Sequence, residues 1–239
     1  MSRLLLALDT SGKKGSLALA RARPDESDID VLEVVALEGG AFSAQLVPQI
    51  AALLEKYGYN QRDLGAFAVA SGPGSFTGLR VGLAAVKALS EALRKPIVAI
   101  SLLQAIACSG TARGRVLAAL DAGRGDVYVG EYEIDPQDRG QVRMHGERLL
   151  SREEFIAEVD TIEIGAESKG KTVITPDAAL AEIFRRAGIE VELIECPSAG
   201  SIARLGWAPL QRGETVGPEE LEANYIRRTD AEIFSKPAP

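Results

Sequence analysis

The chain has 239 residues, enough for one or two domains, and 46% of them are hydrophobic, as in a globular protein with a sizeable core. The net charge of −7 argues against unaided nucleic-acid binding, because phosphate contacts need a basic face. The single histidine, His145, excludes a site with two histidine ligands, and the two cysteines indicate buried thiols in a reducing compartment. No apolar run approaches a membrane span of about 20 residues. Because Asp9 also interrupts the first apolar run too early for a signal peptide, we expect a cytoplasmic protein.

The first 110 residues predict an α/β lobe that opens with a β-hairpin. Strands are predicted at 3–11, 13–21, 31–38, 64–70 and 97–101, and helices at 43–58, about 75–94 and 102–110. For the first helix we predict Ser43 as the N-cap and Gly58 as the residue that ends it. Pro48 is expected in or near the first turn, where a helix tolerates proline.

From residue 115 a similar pattern restarts. Strands are predicted at 115–122, 126–134 and 141–150, followed by helices at about 151–158, 176–188 and 199–212. This loose repetition predicts two related α/β lobes, at 1–110 and 111–230, and a free tail at 231–239.

The Gly-rich stretch SGPGSFTGLRVGL, at 71–83, opens the second helix of the first lobe. Its glycines, Gly72, Gly74 and Gly78, can bring backbone N–H groups close to a phosphate at a helix N-terminus. The stretch lacks the Gly-Lys-Ser/Thr ending of a P-loop, and its glycine spacing departs from GxGxxG. The pattern therefore disfavours a phosphate site without excluding one.

The helix at 75–94 is apolar around most of its circumference, so it needs cover on two sides. Its own sheet covers one side, and small residues at Gly82, Ala84, Ala85 and Ala88 permit another helix to approach closely. We predict that this helix and the one at 43–58 dock on the same two helices of a partner, in a four-helix contact. The predicted contact residues are Leu46, Val47, Ile50, Ala51, Leu54, Phe76, Leu79, Arg80, Leu83, Val86 and Lys87. An L83R or A85R change is expected to separate the partners and leave each chain folded. The alternative is that both helices are ordinary core helices of a monomer.

Four segments resemble a known family, the bacterial tRNA threonylcarbamoyladenosine biosynthesis protein TsaB, or YeaZ. The most specific is SGPGSFTGLRVGL, and the others are LLALDTSGKKGSLAL, LDAGRGDVYVGEY and LEANYIRR, so that the resemblance runs from residue 3 to about 229. Two places depart from the family pattern. Phe42 stands where many members have a histidine, and the run Ala223-Asn224-Tyr225 lacks a usual proline.

The resemblance implies an actin/Hsp70-like (ASKHA) fold of two lobes, with the second reduced. It also implies a non-catalytic subunit that pairs with the larger homologue TsaD and works with the ATPase TsaE. That complex transfers a threonylcarbamoyl group from its adenylate to N6 of the adenosine beside the tRNA anticodon. By this resemblance the chain needs no cofactor or metal of its own, since the partner subunits use ATP and metal. The chain alone is expected to form a homodimer and to meet tRNA only through the complex.

In actin-like folds the first hairpin and its counterpart in the second lobe grip nucleotide phosphates. The matching positions here are Asp9, Thr10, Ser11, Gly12 and Asp121. They motivate an alternative function, an independent actin-fold ATPase or small-molecule kinase, although Asp at a strand end is also a common turn residue. A third reading, a metallopeptidase, conflicts with the single histidine.

Overall fold

The computed structural model describes residues 4–23, 28–135, 142–161 and 172–227. Ten strands and six α-helices are described there, close to the predicted positions. The strands are β1 (Leu4–Asp9), β2 (Gly15–Ala22), β3 (Ile29–Leu37), β4 (Leu64–Gly72), β5 (Ile97–Ser101), β6 (Gly114–Gly123), β7 (Asp126–Ile134), β8 (Val142–Ser151), β9 (Thr172–Thr175) and β10 (Val191–Leu193). The helices are α1 (Phe42–Lys56), α2 (Phe76–Leu93), α3 (Leu102–Ser109), α4 (Arg152–Thr161), α5 (Ala178–Arg186) and α6 (Ala199–Gln211). The predicted tail at 231–239 lies outside the described residues.

Two five-stranded sheets repeat one topology. The first sheet has the order β3-β2-β1-β4-β5, and the second has the order β8-β7-β6-β9-β10 when read in the same direction. In each sheet the first three strands of the lobe form an antiparallel meander, and the last two join in parallel. The repetition that the sequence suggested is therefore confirmed by strand order and direction.

The helices cover the sheets in layers. On one face of the first sheet, α1 and α2 bury an aliphatic core with β1, β2 and β4. The opposite face packs against α6, while α3 contacts both α6 and the second sheet. On the outer side of the second sheet, α4 and α5 enclose Phe155 and Phe184. Helix α6 comes from the second half of the sequence but covers the first sheet, an arrangement that a simple division near residue 110 does not anticipate.

The start of α1 differs from the prediction. The helix begins at Phe42, and its N-cap is Ala41, which makes no side-chain capping bond. Burial explains the shift, because Phe42 is only 7% exposed and packs into the core under the helix. Pro48 lies well inside the helix and not in its first turn. The predicted end is confirmed, since Gly58 has a φ of 71°, which favours glycine.

Within the described part of the chain, no helix is long and apolar enough to cross a membrane.

Candidate partner-binding face and lobe junction

Helices α1 and α2 lie side by side on the first sheet and divide the predicted contact residues into two groups. The buried group points into the core of the chain itself and consists of Leu46, Ile50, Leu54, Leu79, Leu83 and Val86, each at most 6% exposed. The outward group consists of Val47, Ala51, Phe76 and Arg80, with Lys87 half-buried. The six buried residues are thus covered by the protein's own sheet, and only the outward group is accessible to a partner.

The outward side of the helix pair is a shallow apolar face. Val47 is 66% exposed, the highest value among the large hydrophobic residues that the structure describes as exposed. Ala84 and Ala88 are exposed on α2, and Ala85 beside them is half-buried. Such small side chains let a second helix approach closely, as the sequence predicted for these alanines. We call this surface, formed by Val47, Ala51, Val81, Ala84, Ala85 and Ala88, the α1–α2 face.

The Gly-rich stretch packs against the turn that follows β1. A Cβ atom added to Gly78 would lie 2.1 Å from the carbonyl oxygen of Thr10, and one added to Gly74 would lie 2.4 Å from that of Ser11. One on Gly82 would lie 2.3 Å from Oγ1 of Thr10. Real Cβ atoms do not approach other atoms so closely, so each position admits only glycine without movement of the backbone or a neighbour. These glycines therefore permit close packing between the start of α2, with the loop before it, and the turn after β1.

Hydrogen bonds fasten the same contact. The hydroxyl of Thr10 donates to the carbonyl of Gly78 at 2.8 Å, and the backbone N–H of Ser75 donates to the carbonyl of Ser11 at 2.6 Å. Ser75 also caps α2, because its side chain accepts a hydrogen bond from the N–H of Gly78. The N–H groups of Gly78 and of Leu79, which donates to the carbonyl of Ser75, thus already have partners within the chain.

The predicted nucleotide residues occupy two different environments. Asp9, Thr10 and Ser11 are at most 5% exposed, and Gly12 beside them is half-buried. The Asp9 carboxylate accepts hydrogen bonds from the backbone N–H and the hydroxyl of Ser11. Burial raises the pKa of Asp9, and these two hydrogen bonds oppose that rise. Both bonds reach Oδ1, and the one from the Ser11 N–H is typical of a turn residue that bonds its own backbone, the alternative that the sequence left open for Asp9.

Asp121 lies in the second sheet, where it pairs with Arg152 at 3.0 Å. Among the described residues, no cluster of three or more His, Cys, Asp or Glu side chains is arranged to hold a metal ion.

A short C-terminal segment connects the two lobes. We call residues 223–227 the strap. The backbone N–H of Asn224 donates to the carbonyl of Ser71 at the end of β4, at 2.8 Å. Arg227, three residues later, forms an ion pair with Asp126 of the second sheet at 2.5 Å. Residues from three of the sequence segments singled out above therefore meet at this junction.

Tyr225 of the strap lies against the start of α2. Its ring centroid is 5.4 Å from that of Phe76, and its hydroxyl accepts a hydrogen bond from Nε of Arg80 at 3.2 Å. The guanidinium carbon of Arg80 lies 3.6 Å from the Phe76 ring centroid, a cation–π contact. Phe76 and Tyr225 remain 40% and 43% exposed, so this cluster forms part of the protein surface.

Sequence reasoning missed Glu147, which lies at the centre of the junction. Its carboxylate accepts hydrogen bonds from the hydroxyls of Ser101 and Tyr132 and from Nδ2 of Asn224, the last at 2.5 Å. Burial and the neighbouring Glu147 carboxylate raise the pKa of Tyr132, which keeps its phenol protonated as a donor. The spacing of these residues in the sequence gives no signal, because they come from β5, β7, β8 and the strap.

Comparison with known proteins places the sequence among tRNA-modification proteins. The sequence model of the family described as "TsaD: tRNA N6-adenosine threonylcarbamoyltransferase" matches residues 38–195. The chain is 33% identical to tRNA threonylcarbamoyladenosine biosynthesis protein TsaB of Haemophilus influenzae, over 93% of each chain. The identity to the Escherichia coli protein of that name is 28%, over 95% of this chain and 96% of the other. For the Bacillus subtilis protein it is 35%, but the match spans only 54% of this chain and 55% of that one.

Solved structures agree with the sequence matches. YeaZ from Pseudomonas aeruginosa superposes with a TM-score of 0.71 at 26% identity, covering 94% of this chain and all of that one. A ROK family protein from Streptococcus pneumoniae superposes with a TM-score of 0.53 at 9% identity, covering 88% of this chain and 99% of that one. The second likeness concerns the fold alone. Together with the repeated sheet topology, these structures confirm the predicted actin-like α/β fold.

Proposed function

The chain belongs to the TsaB (YeaZ) family, and from this premise we propose that it is a non-catalytic subunit in tRNA threonylcarbamoyladenosine biosynthesis. In this proposal it docks on a TsaD-like homologue, which carries the active site, and works with a TsaE-like ATPase. The complex moves a threonylcarbamoyl group from its adenylate to N6 of the adenosine beside the tRNA anticodon. This chain contributes a docking surface and contacts tRNA only through the complex.

The observation that carries the proposal is the exposed α1–α2 face. Its small side chains are the alanines Ala51, Ala84, Ala85 and Ala88, and Val47 has two thirds of its area exposed. A second pair of helices can pack closely on such a surface, with small residues opposite larger ones. When the chain is alone, we propose that a second copy occupies this face and forms a homodimer.

The neighbourhood of Asp9 supports a role without catalysis. A nucleotide site needs backbone N–H groups and a carboxylate that a phosphate or metal can reach. Here the Gly-rich stretch contacts the turn, and the Asp9 carboxylate accepts two hydrogen bonds from Ser11. These contacts occupy groups that an independent ATPase or kinase would use at this turn, and they therefore favour the subunit role over that alternative. We accordingly propose that ATP and metal act in the partner subunits.

A reconstitution tests the proposal. Unmodified tRNA is incubated with threonine, bicarbonate, ATP, the adenylate-forming enzyme and the TsaD-like and TsaE-like partners, with and without this chain. Mass spectrometry then quantifies the modified adenosine. We expect modification only when the chain is present. Equal modification in its absence would remove the subunit role and direct attention back to a nucleotide site near Asp9.

A matched pair of variants tests the docking face. Ala84→Arg places a charged side chain on the α1–α2 face, and Ala157→Arg places one at an exposed position of α4 in the other lobe. We expect Ala84→Arg to weaken binding of the TsaD-like partner about tenfold or more, because an interface position must accommodate an unpaired charge. Ala157→Arg should bind like the wild type. Equal affinities for both variants would place the docking surface elsewhere.

A further inference from the structure

Asn224 of the strap is attached to the second lobe through the carboxylate of Glu147. Glu147, on β8, uses one oxygen to accept from Ser101 and Tyr132 and the other to accept from the amide of Asn224. Ser101 ends β5 of the first sheet, so a single side chain joins both sheets and the strap. Three donors directed at a half-buried carboxylate define its position well, because such charge-assisted bonds are short and strong.

The contacts of Asn224 determine the placement of Tyr225. The side chain of Asn224 is held by Glu147, and its backbone N–H is held by the carbonyl of Ser71. A residue fixed from both lobes leaves its neighbour little freedom. The Tyr225 ring is thus held against Phe76, with its hydroxyl at Nε of Arg80.

The Arg80 guanidinium is the last member of this series of contacts, which runs from Glu147 through Asn224 and Tyr225. It stacks on Phe76 and uses Nε to reach Tyr225. Among the described residues no carboxylate pairs with Arg80, which lies one turn into α2, one of the two helices that form the α1–α2 face. The two Nη groups of Arg80, for which no hydrogen bond to another described residue is seen, can donate to the two oxygens of a carboxylate in a bidentate geometry.

We propose that Glu147 is a positioning residue for partner binding: it holds the strap, which orients Arg80 to pair with a carboxylate of the protein docked on the α1–α2 face. This inference rests on the proposed function and assigns a role to three residues, Glu147, Asn224 and Tyr225, that lie outside the two helices. It also makes the affinity for the partner depend on a contact at the lobe junction, away from the docking helices.

A pair of complementary substitutions tests the contact. Asn224→Asp places a second carboxylate opposite Glu147, and the repulsion should detach that side chain and loosen the strap, which the residue 224 N–H and Arg227 still attach. Adding Glu147→Gln to Asn224→Asp restores a donor and acceptor pair, because the new amide can donate to the new carboxylate. Affinity for the purified TsaD-like partner is measured by calorimetry, and hydrogen exchange of residues 223–227 is measured on the isolated full chain.

We expect Asn224→Asp to weaken partner binding about tenfold, the loss typical of one hydrogen bond to a charged group, and to speed exchange at the strap. In the double variant, the affinity for the partner and the hydrogen-exchange rate of the strap should both return to within about threefold of the wild-type values. Tyr225→Phe removes only the hydroxyl that accepts from Arg80. It should weaken binding and leave both strap exchange and melting temperature unchanged, which separates positioning from a general loss of stability.

The positioning role is overturned if Asn224→Asp binds the partner with wild-type affinity. It is also overturned if the double variant binds the partner as weakly as Asn224→Asp does. A Tyr225→Phe chain that binds like the wild type would overturn it as well. If the wild-type chain itself fails to bind the TsaD-like partner, the proposed function falls, and the partner-binding role of Glu147 falls with it. Hydrogen exchange of residues 223–227 in the isolated chain separates the two failures. It reports whether Glu147 holds Asn224, and it needs no partner.

Discussion

Replacement of Gly78 by alanine should weaken the contact between α2 and the turn after β1. The added methyl group would lie 2.1 Å from the carbonyl oxygen of Thr10, where ordinary contact begins at 3.4 Å. The obstacle is backbone on both sides, so a change of rotamer cannot relieve it. The start of α2 must instead move by about 1 Å, since repulsion rises steeply below the contact distance. That movement also lengthens the buried hydrogen bond from the Thr10 hydroxyl to the Gly78 carbonyl.

The magnitude follows from three terms. Overpacking against a rigid neighbour destabilises by about 1–3 kcal/mol. Loss of one buried hydrogen bond adds about 1 kcal/mol. Alanine in place of glycine offsets up to about 1 kcal/mol, because glycine is the poorer helix former. The net loss of unfolding free energy is about 2 kcal/mol, which corresponds to a fall in melting temperature of roughly 4–8 °C for a chain of this size.

Thermal unfolding followed by circular dichroism, with urea unfolding beside it, measures this change. The matched control is Gly146→Ala, because a Cβ atom there meets nothing within 4 Å and the residue has no positive φ. The free energy of unfolding of the control should stay within about 0.5 kcal/mol of the wild-type value. If Gly78→Ala melts at the temperature of the wild type and of the control, the close packing of the Gly-rich stretch does not explain its composition.

Three further predictions concern single side chains. Leu83 is 6% exposed in the core, so Leu83→Arg should destabilise the fold by about 4 kcal/mol or more. We expect an unfolded or insoluble chain, not the folded monomer that the sequence suggested. A cooperative urea transition at the wild-type midpoint would contradict this. Burial raises the pKa of Asp9, so the stability that its protonated form contributes is complete below pH 3.8 and is lost as the pH rises through the folded-state pKa. Asp9→Asn keeps an oxygen to accept from Ser11 and should therefore unfold at higher urea than the wild type at pH 7, with the difference narrowing towards pH 4; equal midpoints at every pH would show that the buried charge has no such effect. Burial raises the pKa of Cys108 to about 11, so only about 0.1% of that thiol ionises at pH 8. Partial burial also raises the pKa of Cys196, but this residue is exposed, not buried as the sequence predicted, and iodoacetamide should modify it first. Mass spectrometry of the labelled peptides would refute this if Cys108 reacted first or at an equal rate.

Most of the fold could be predicted from the sequence because the information is local. Alternating or continuous apolar runs located the strands, and helical periodicity located α1 and α2 to within one or two residues. Exceptions arose where tertiary packing outweighed a local signal. The core recruits Phe42 into α1, so the helix begins before the capping residue Ser43 that the pattern favoured. Pro48 lies inside the same helix, although its local pattern predicted a place in or near the first turn.

The sequence by itself determined that α2 is apolar nearly all round and that a Gly-rich stretch opens it, because composition and spacing are read along the chain. Only the tertiary structure decided which apolar side chains face the protein's own sheet, leaving Ala84 and Ala88 outside and burying Leu83 and Val86. It alone brought the Gly-rich stretch onto Thr10 and Ser11 and gathered Ser101, Tyr132, Glu147 and Asn224 at the lobe junction. The physical reason is that these contacts join residues from different strands and lobes, and their geometry depends on how two sheets and a strap pack together.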